Sequence, residues 1–134
     1  MTQADYHALS QFRFHIRRFL HFSEEAARAE GLEPQQHQML LAIQALDGGE
    51  GPTIGELADH LVIRHHSAVG LVDRLTARGL AERFRGDGDR RQVRVRLTPE
   101  GALKLHRLSA LHQEELGNTG PHLVEALQLV IPTR

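Results

Sequence analysis

Residues 53–80 read TIGELADHLVIRHHSAVGLVDRLTARGL, and residues 81–98 continue AERFRGDGDRRQVRVRLT. Thr53 and Glu56 have the S/T-x-x-E spacing in which a hydroxyl and a carboxylate satisfy free amides at a helix start; Ile54, Leu57, Ala58 and Leu61 then share one inward face. After a tight connection, Ala68, Leu71, Val72 and Leu75 recur at the spacing of one buried helical stripe, which leaves Arg64, His65, Ser67, Gly70 and Arg74 nearer solvent, and Gly79 ends the helix. Ala81 to Arg85 is short and partly alternating. Val93, Val95 and Leu97 alternate with Gln92, Arg94 and Arg96, the period of a strand with one face buried. Gly86, Asp87, Gly88 and Asp89 supply the turn chemistry between the two runs.

Helix, helix and hairpin without a gap is the order of a winged helix-turn-helix, a fold that presents one helix and one β-ribbon to DNA. The charge agrees: nine arginines from Arg64 to Arg96 stand against Asp73, Glu82, Asp87 and Asp89, a balance of +5 inside a chain whose formal net charge is −1. For nucleic-acid binding the clustered local charge is the relevant quantity.

A chain of 134 residues, 40% hydrophobic and 25% charged, suffices for one soluble domain with its own core. No apolar run approaches the roughly 20 residues of a membrane span, and the N-terminus has no signal-peptide pattern, so the expectation is a cytoplasmic protein with no membrane partner. The absence of cysteine removes disulfides, thiolate metal sites and a thiol redox switch.

Outward from the basic module, Leu9, Phe12, Ile16, Phe19, Leu20 and Ala27 recur at helical steps between about Asp5 and Glu30. That helix would span roughly 39 Å, and Phe14 and Phe22 add apolar surface beyond one stripe, which calls for a partner helix. Gly31 closes it. Glu33 and Pro34 start a second helix through Met39, Leu40, Ile43 and Leu46, and residues 47–52 form a loop. Thr98 and Pro99 start another, with Leu103, Leu105, Leu108, Leu111 and Leu116. Gly117 to Gly120 is expected to break it, and Pro121 to begin a last amphipathic helix with Leu123, Ala126, Leu127 and Val130. Two apolar helical ends flanking a basic centre suit a dimer.

Three segments together resemble the MarR family of transcriptional regulators: IGELADHL with LVDRLTARGLAER, the hairpin and its exit DGDRRQVRVRLTPEG, and PQQHQMLLAI before the basic module. The likeness runs over nearly the whole length, and the hairpin with LTPEG is its most specific part. It implies a mainly α fold with a small β-hairpin wing, a winged helix-turn-helix with N- and C-terminal dimerisation helices. The expected organisation is a single domain over 1–134, with dimerisation helices at 5–30 and 99–131 and the DNA-binding region at 34–98.

The resemblance further implies a homodimer on double-stranded DNA, each half-site about one helical turn from the other, on a roughly palindromic operator. It places base reading on Arg64, His65, His66 and Ser67, with Val69 and Gly70 beside them; Arg74, with Asp73, is expected to be an ion pair or a positional contact on the same helix. The chain departs from the family pattern at Arg64, where a small capping hydroxyl is usual, and at Gly70, where a longer side chain is frequent. In the wing, Asp89 and Arg91 match a D-x-R motif in which the acid holds the loop and the guanidinium enters a minor groove, while Arg90 and Arg94 are candidates for phosphate.

Ten histidines raise the question of metal. Some members of the family sense zinc, which makes a metal-responsive regulator the alternative within the fold. Yet no H-E-x-x-H occurs, and the pairs His15/His21 and His106/His112 are six apart, off a common helix face, so no metal or other cofactor is expected. By family position His37 lies beside a cleft that takes small aromatic effectors, and Phe14, Arg13 and Arg17 would line it for an aromatic or anionic ligand. No nucleophile–base arrangement or phosphate loop points to an enzyme. From outside the class, the rival is a winged helix that binds protein, which would not need the concentrated charge.

Overall fold

The computed structural model describes residues 1–86 and 92–133. Helix α1 spans Gln3–Ala29, two residues earlier than the sequence pattern suggests, because Thr2 and Asp5 form a capping box. Thr2 Oγ1 accepts from the Asp5 amide at 3.2 Å and the Asp5 carboxylate accepts from the Thr2 amide at 2.7 Å. These bonds, the backbone one foremost, hold the Asp5 carboxyl below its ordinary range. Helix α2, Pro34–Ala45, starts on proline, with the Gln36 side chain accepting from the Glu33 amide at 2.8 Å.

Helix α3, Ile54–Leu61, has half of its expected box. Thr53 Oγ1 accepts from the Glu56 amide, but the Glu56 carboxylate takes the Thr53 hydroxyl, since the backbone of Thr53 is bridged to Arg94 in the wing. Val62 ends α3 in the left-handed region at φ 55° while 89% exposed, and Ile63 and Arg64 complete the turn into α4, His65–Ala77. Gly79 follows at φ 73°. Strands β1, Ala81–Arg85, and β2, Val93–Leu97, pair antiparallel from Ala81 opposite Leu97 to Arg85 opposite Val93, as the alternation predicts.

The core joins α2, α3, α4 and the hairpin to the end of α1 and the first half of α5, Pro99–Val130. Leu40, Leu57, Val72, Leu75, Val95 and Leu108 are fully buried. Two close approaches lock the hairpin onto it. A Cβ on Gly51, at φ 80°, would come within 2.8 Å of the Val95 carbonyl oxygen. At Gly101 the first turn of α5 lies so close to Leu80 that a Cβ would fall 1.9 Å from its carbonyl oxygen. The same carbonyl accepts from the Thr98 amide at 3.1 Å, and Thr98 Oγ1 accepts from the Gly101 amide while its hydroxyl donates to Gly79 O. The LTPEG segment is therefore a clamp between wing and terminal helix.

Helix α5 corrects one expectation: it runs unbroken from Pro99 to Val130, with Pro121 inside it. Proline removes one backbone bond and strains the preceding turn, but the positions facing α1 continue in phase through Leu105, Leu108, His112, Thr119, Leu123 and Ala126. Packing of that stripe along α1 outweighs the local breakers. The rest of the apolar surface stays uncovered: Leu9, Leu20, Val124, Leu129 and Ile131 are 40–69% exposed.

Candidate nucleic-acid interface

The first turn of α4 projects four consecutive polar side chains, Arg64, His65, His66 and Ser67, all exposed. Arg64 holds the N-cap backbone conformation, its carbonyl accepting from the Ser67 and Ala68 amides at 3.1 Å. None of the four side chains forms a hydrogen bond or ion pair with the other described residues. Ala68 is fully buried beneath them and fixes which way the turn faces. Val69 and Gly70 are half-buried, and Arg74 is exposed one turn further on. An open groove of about 270 Å³ separates this turn from the wing, lined by Thr53, Ile54, Gly55, His65, Gln92 and Val93.

Below this turn, ion pairs fasten the helix to the hairpin. Asp73 accepts from Arg83 at 2.6 Å, the structural pairing expected of Asp73, though its partner lies on β1 and not at Arg74. Glu82 accepts from Arg96 at 2.7 Å, whose guanidinium also lies 4.3 Å from the centre of the Phe84 ring.

Arg94 departs from its expected role at phosphate. Its guanidinium donates to Gly51 O at 2.7 Å and to Gln92 Oε1 at 3.1 Å, and stands 3.5 Å from Glu50, with only 18% of the side chain exposed. The residue ties the base of the wing to the loop before α3. A basic residue in an alternating strand reads as outward from sequence; the carbonyl of a glycine 43 positions earlier is what draws it in. Asp89, Arg90 and Arg91 lie outside the described residues.

The proposed effector residues do not gather in one cleft. Phe14 and Arg17 line an open groove of about 500 Å³ between α1 and α5 with Arg18, His21, Phe22, Glu25 and Glu115. Arg13 is exposed and does not line it. His37 is buried, 3% exposed, because the first turn of α2 packs against the far half of α1 and the first half of α5. There its ring lies 4.9 Å from that of His112, with Phe19 and Phe22 presented to the other histidine edge-on.

His112 Nδ1 must carry a proton to donate to Leu108 O at 2.6 Å, so in the neutral ring Nε2 accepts from the Ser23 hydroxyl at 2.7 Å. His37 Nδ1 is buried without a partner. Burial first, and the neighbouring His112 second, lower the His37 pKa to about 4. Sequence spacing within single helices missed this cluster, as it missed the stacking of His15 on His122, because each pair comes from two helices. No group of three or more His, Asp or Glu suited to a metal ion occurs among the described residues.

A family model described as the MarR family matches residues 30–92, the segment that carries α2, α3, α4 and the hairpin. Over that segment the chain is similar to the MarR family. A curated relative, the uncharacterized HTH-type transcriptional regulator YsmB of Bacillus subtilis, is 36% identical over 64 residues, which are 48% of this chain. The match spans 44% of YsmB, less than half of its length. Among solved structures, apo MarR from E. coli is 24% identical over 90% of this chain and 93% of its own, with a TM-score of 0.67. A variant of S. aureus MepR bound to an oligodeoxyribonucleotide is 17% identical over 80% and 77%, with a TM-score of 0.69. At these identities the two structures establish the common fold. Among the described residues no helix is long and apolar enough to cross a membrane.

Proposed function

We propose that the chain is a sequence-specific double-stranded DNA-binding transcriptional regulator that works in the cytoplasm as a homodimer on a pseudo-palindromic operator. The observation that carries this reading is the first turn of α4: four exposed polar side chains that no other described residue engages, beside a wing whose base is braced by Arg94 and Gly51. An arginine there can grip guanine with two donors, and the histidines and Ser67 can bond base edges or phosphate. MepR was solved with DNA bound, which supports the same use of the shared fold here.

The dimer reading rests on exposed apolar side chains near the start of α1 and at the end of α5 and just past it, among them Leu9, Val124, Leu129 and Ile131, more than a lone protomer of this size normally leaves to water. The organisation follows, with 5–30 and 99–131 as the dimerisation region and 34–98 as the reader. We further infer a repressor released by a small effector. The groove at Phe14, Arg17 and Arg18 offers an aromatic wall and two cations to an aromatic anion, and its occupation would shift α1 against α5 and so the spacing of the two reading helices.

Titration of a duplex from upstream of the chain's own gene, read by fluorescence anisotropy and paired with light scattering, tests the reading. Saturable binding by a dimer, weakening as salt rises, is the expected result. No binding at low salt, or binding by a monomer, refutes it.

A further inference from the structure

Gly70 stands at the centre of the outward face of α4. The buried stripe of Ala68, Leu71, Val72 and Leu75 turns His66, Gly70, Asp73 and Ala77 to the opposite side. Neither usual reason for a glycine applies. Gly70 is not among the residues with positive φ, and a Cβ built on it meets only the Arg74 guanidinium, at an ordinary contact distance of 3.7 Å. Gly51 and Gly101, by contrast, are demanded by close backbone approaches. Glycine is the poorest helix former after proline, so the fold by itself would be better served by alanine.

We propose that Gly70 is a specificity-determining position, the point where α4 comes nearest the floor of the major groove. This rests on the DNA-binding reading of that face. Residues 66 and 74 lie one turn to either side of Gly70, so the missing side chain leaves a shallow slot between His66 at one end and Arg74 at the other. Arg74 already folds back along the helix toward Gly70. A side chain longer than alanine at 70 would displace that guanidinium, whose planar fork suits the two acceptors of a guanine edge lying in the slot. In a specific complex the groove floor closes on the bare backbone. On unrelated DNA the looser interface keeps its water, and an added methyl group is tolerated.

A duplex selected by the wild-type protein from a random pool, and a scrambled duplex of the same composition, are the probes. Gly70→Ala is expected to raise Tm by roughly 2–4 °C. It should weaken binding to the selected duplex tenfold or more, leave the scrambled duplex unaffected, and choose different bases when selection is repeated. Equal affinity of both proteins for the selected duplex overturns the proposal. So does an equal loss on both duplexes, which would mean disturbed docking, or a fall in Tm, which would make the glycine structural. If the wild-type protein selects no duplex at all, the DNA-binding reading fails and this one with it; the other outcomes leave that reading standing.

Discussion

Acidification should destabilise the protein through His37 before it reaches the carboxylates. The buried ring, 3% exposed and facing His112, has a folded-state pKa of about 4 against 6.5 when unfolded. As pH falls below 6.5 the unfolded chain takes up the proton first. The stability linked to neutral His37 is therefore complete above the unfolded value and is lost as pH drops through the folded one. The full interval is worth about 3 kcal/mol, of which about 2.5 kcal/mol is gone by pH 4.5. Glu30 is held below its ordinary value first by its hydrogen bond from Arg107, and Asp5 below its own by the Thr2 amide, so what they contribute fades from the acid end of that range downward and does so alike in wild type and a His37 variant. The assay is urea denaturation between pH 7 and 4.5 at one protein concentration, since on the proposed dimer reading the midpoint moves with concentration. His37→Phe keeps an aromatic ring against His112 and removes the orphaned nitrogen. It should unfold within about 1 kcal/mol of wild type at pH 7 and vary much less with pH. Parallel pH profiles for the two proteins would refute the assignment.

Gly101→Ala puts a methyl group into the Leu80 carbonyl and is expected to destabilise by more than about 3 kcal/mol, read from the urea midpoint; a change under about 1 kcal/mol would show the clamp to be soft. Val62→Gly relieves a β-branched residue at φ 55° that is 89% exposed, so a gain of about 0.5–1 kcal/mol is expected. Arg94→Ala should lower stability by about 1–3 kcal/mol and leave the salt dependence of DNA binding unchanged, because its guanidinium serves Gly51 O. Arg91→Ala, on the D-x-R reading of the sequence, should weaken DNA binding and reduce the salt slope by about 1 with stability intact. The same response from both arginines would erase the division between brace and reader.

The helix starts were legible because caps are local. Pro34, Thr53, and Thr98 with Pro99 each lie within three residues of the amides they govern, and the alternation of Val93, Val95 and Leu97 announces the second strand directly. The break expected at 117–120 failed for the opposite reason. The breakers are local, but the stripe that carries α5 through Pro121 is satisfied by α1, a hundred residues earlier in the chain. His37 was placed in a cleft by position alone; its partner His112 comes from another helix, and no spacing rule within one helix joins them. The outward turn of α4 was readable because its buried counterpart, Ala68 to Leu75, is itself periodic.

The arginine count measured the charge of the module without showing where that charge is available. Arg83 and Arg96 are paired to Asp73 and Glu82, and Arg94 is drawn to the base of the wing, so these three act first on the hairpin. Arg78 donates to Gln36 at 3.2 Å and joins α4 to α2. Their pairing still matters for DNA. Asp73 is on the outward face of α4, and an unpaired carboxylate there would repel a phosphate backbone; with Arg83 against it, that face presents a dipole. Among the described residues, the cations on α4 and its N-cap without such a partner are then Arg64 and Arg74, and Arg74 closes one end of the slot at Gly70. A surface with few free charges and one bare backbone position can depend on the shape of a base edge as much as on the total charge of the duplex. On the proposed DNA-binding reading, local neutrality under α4 and concentrated charge across the module are therefore compatible, the first serving discrimination and the second serving approach.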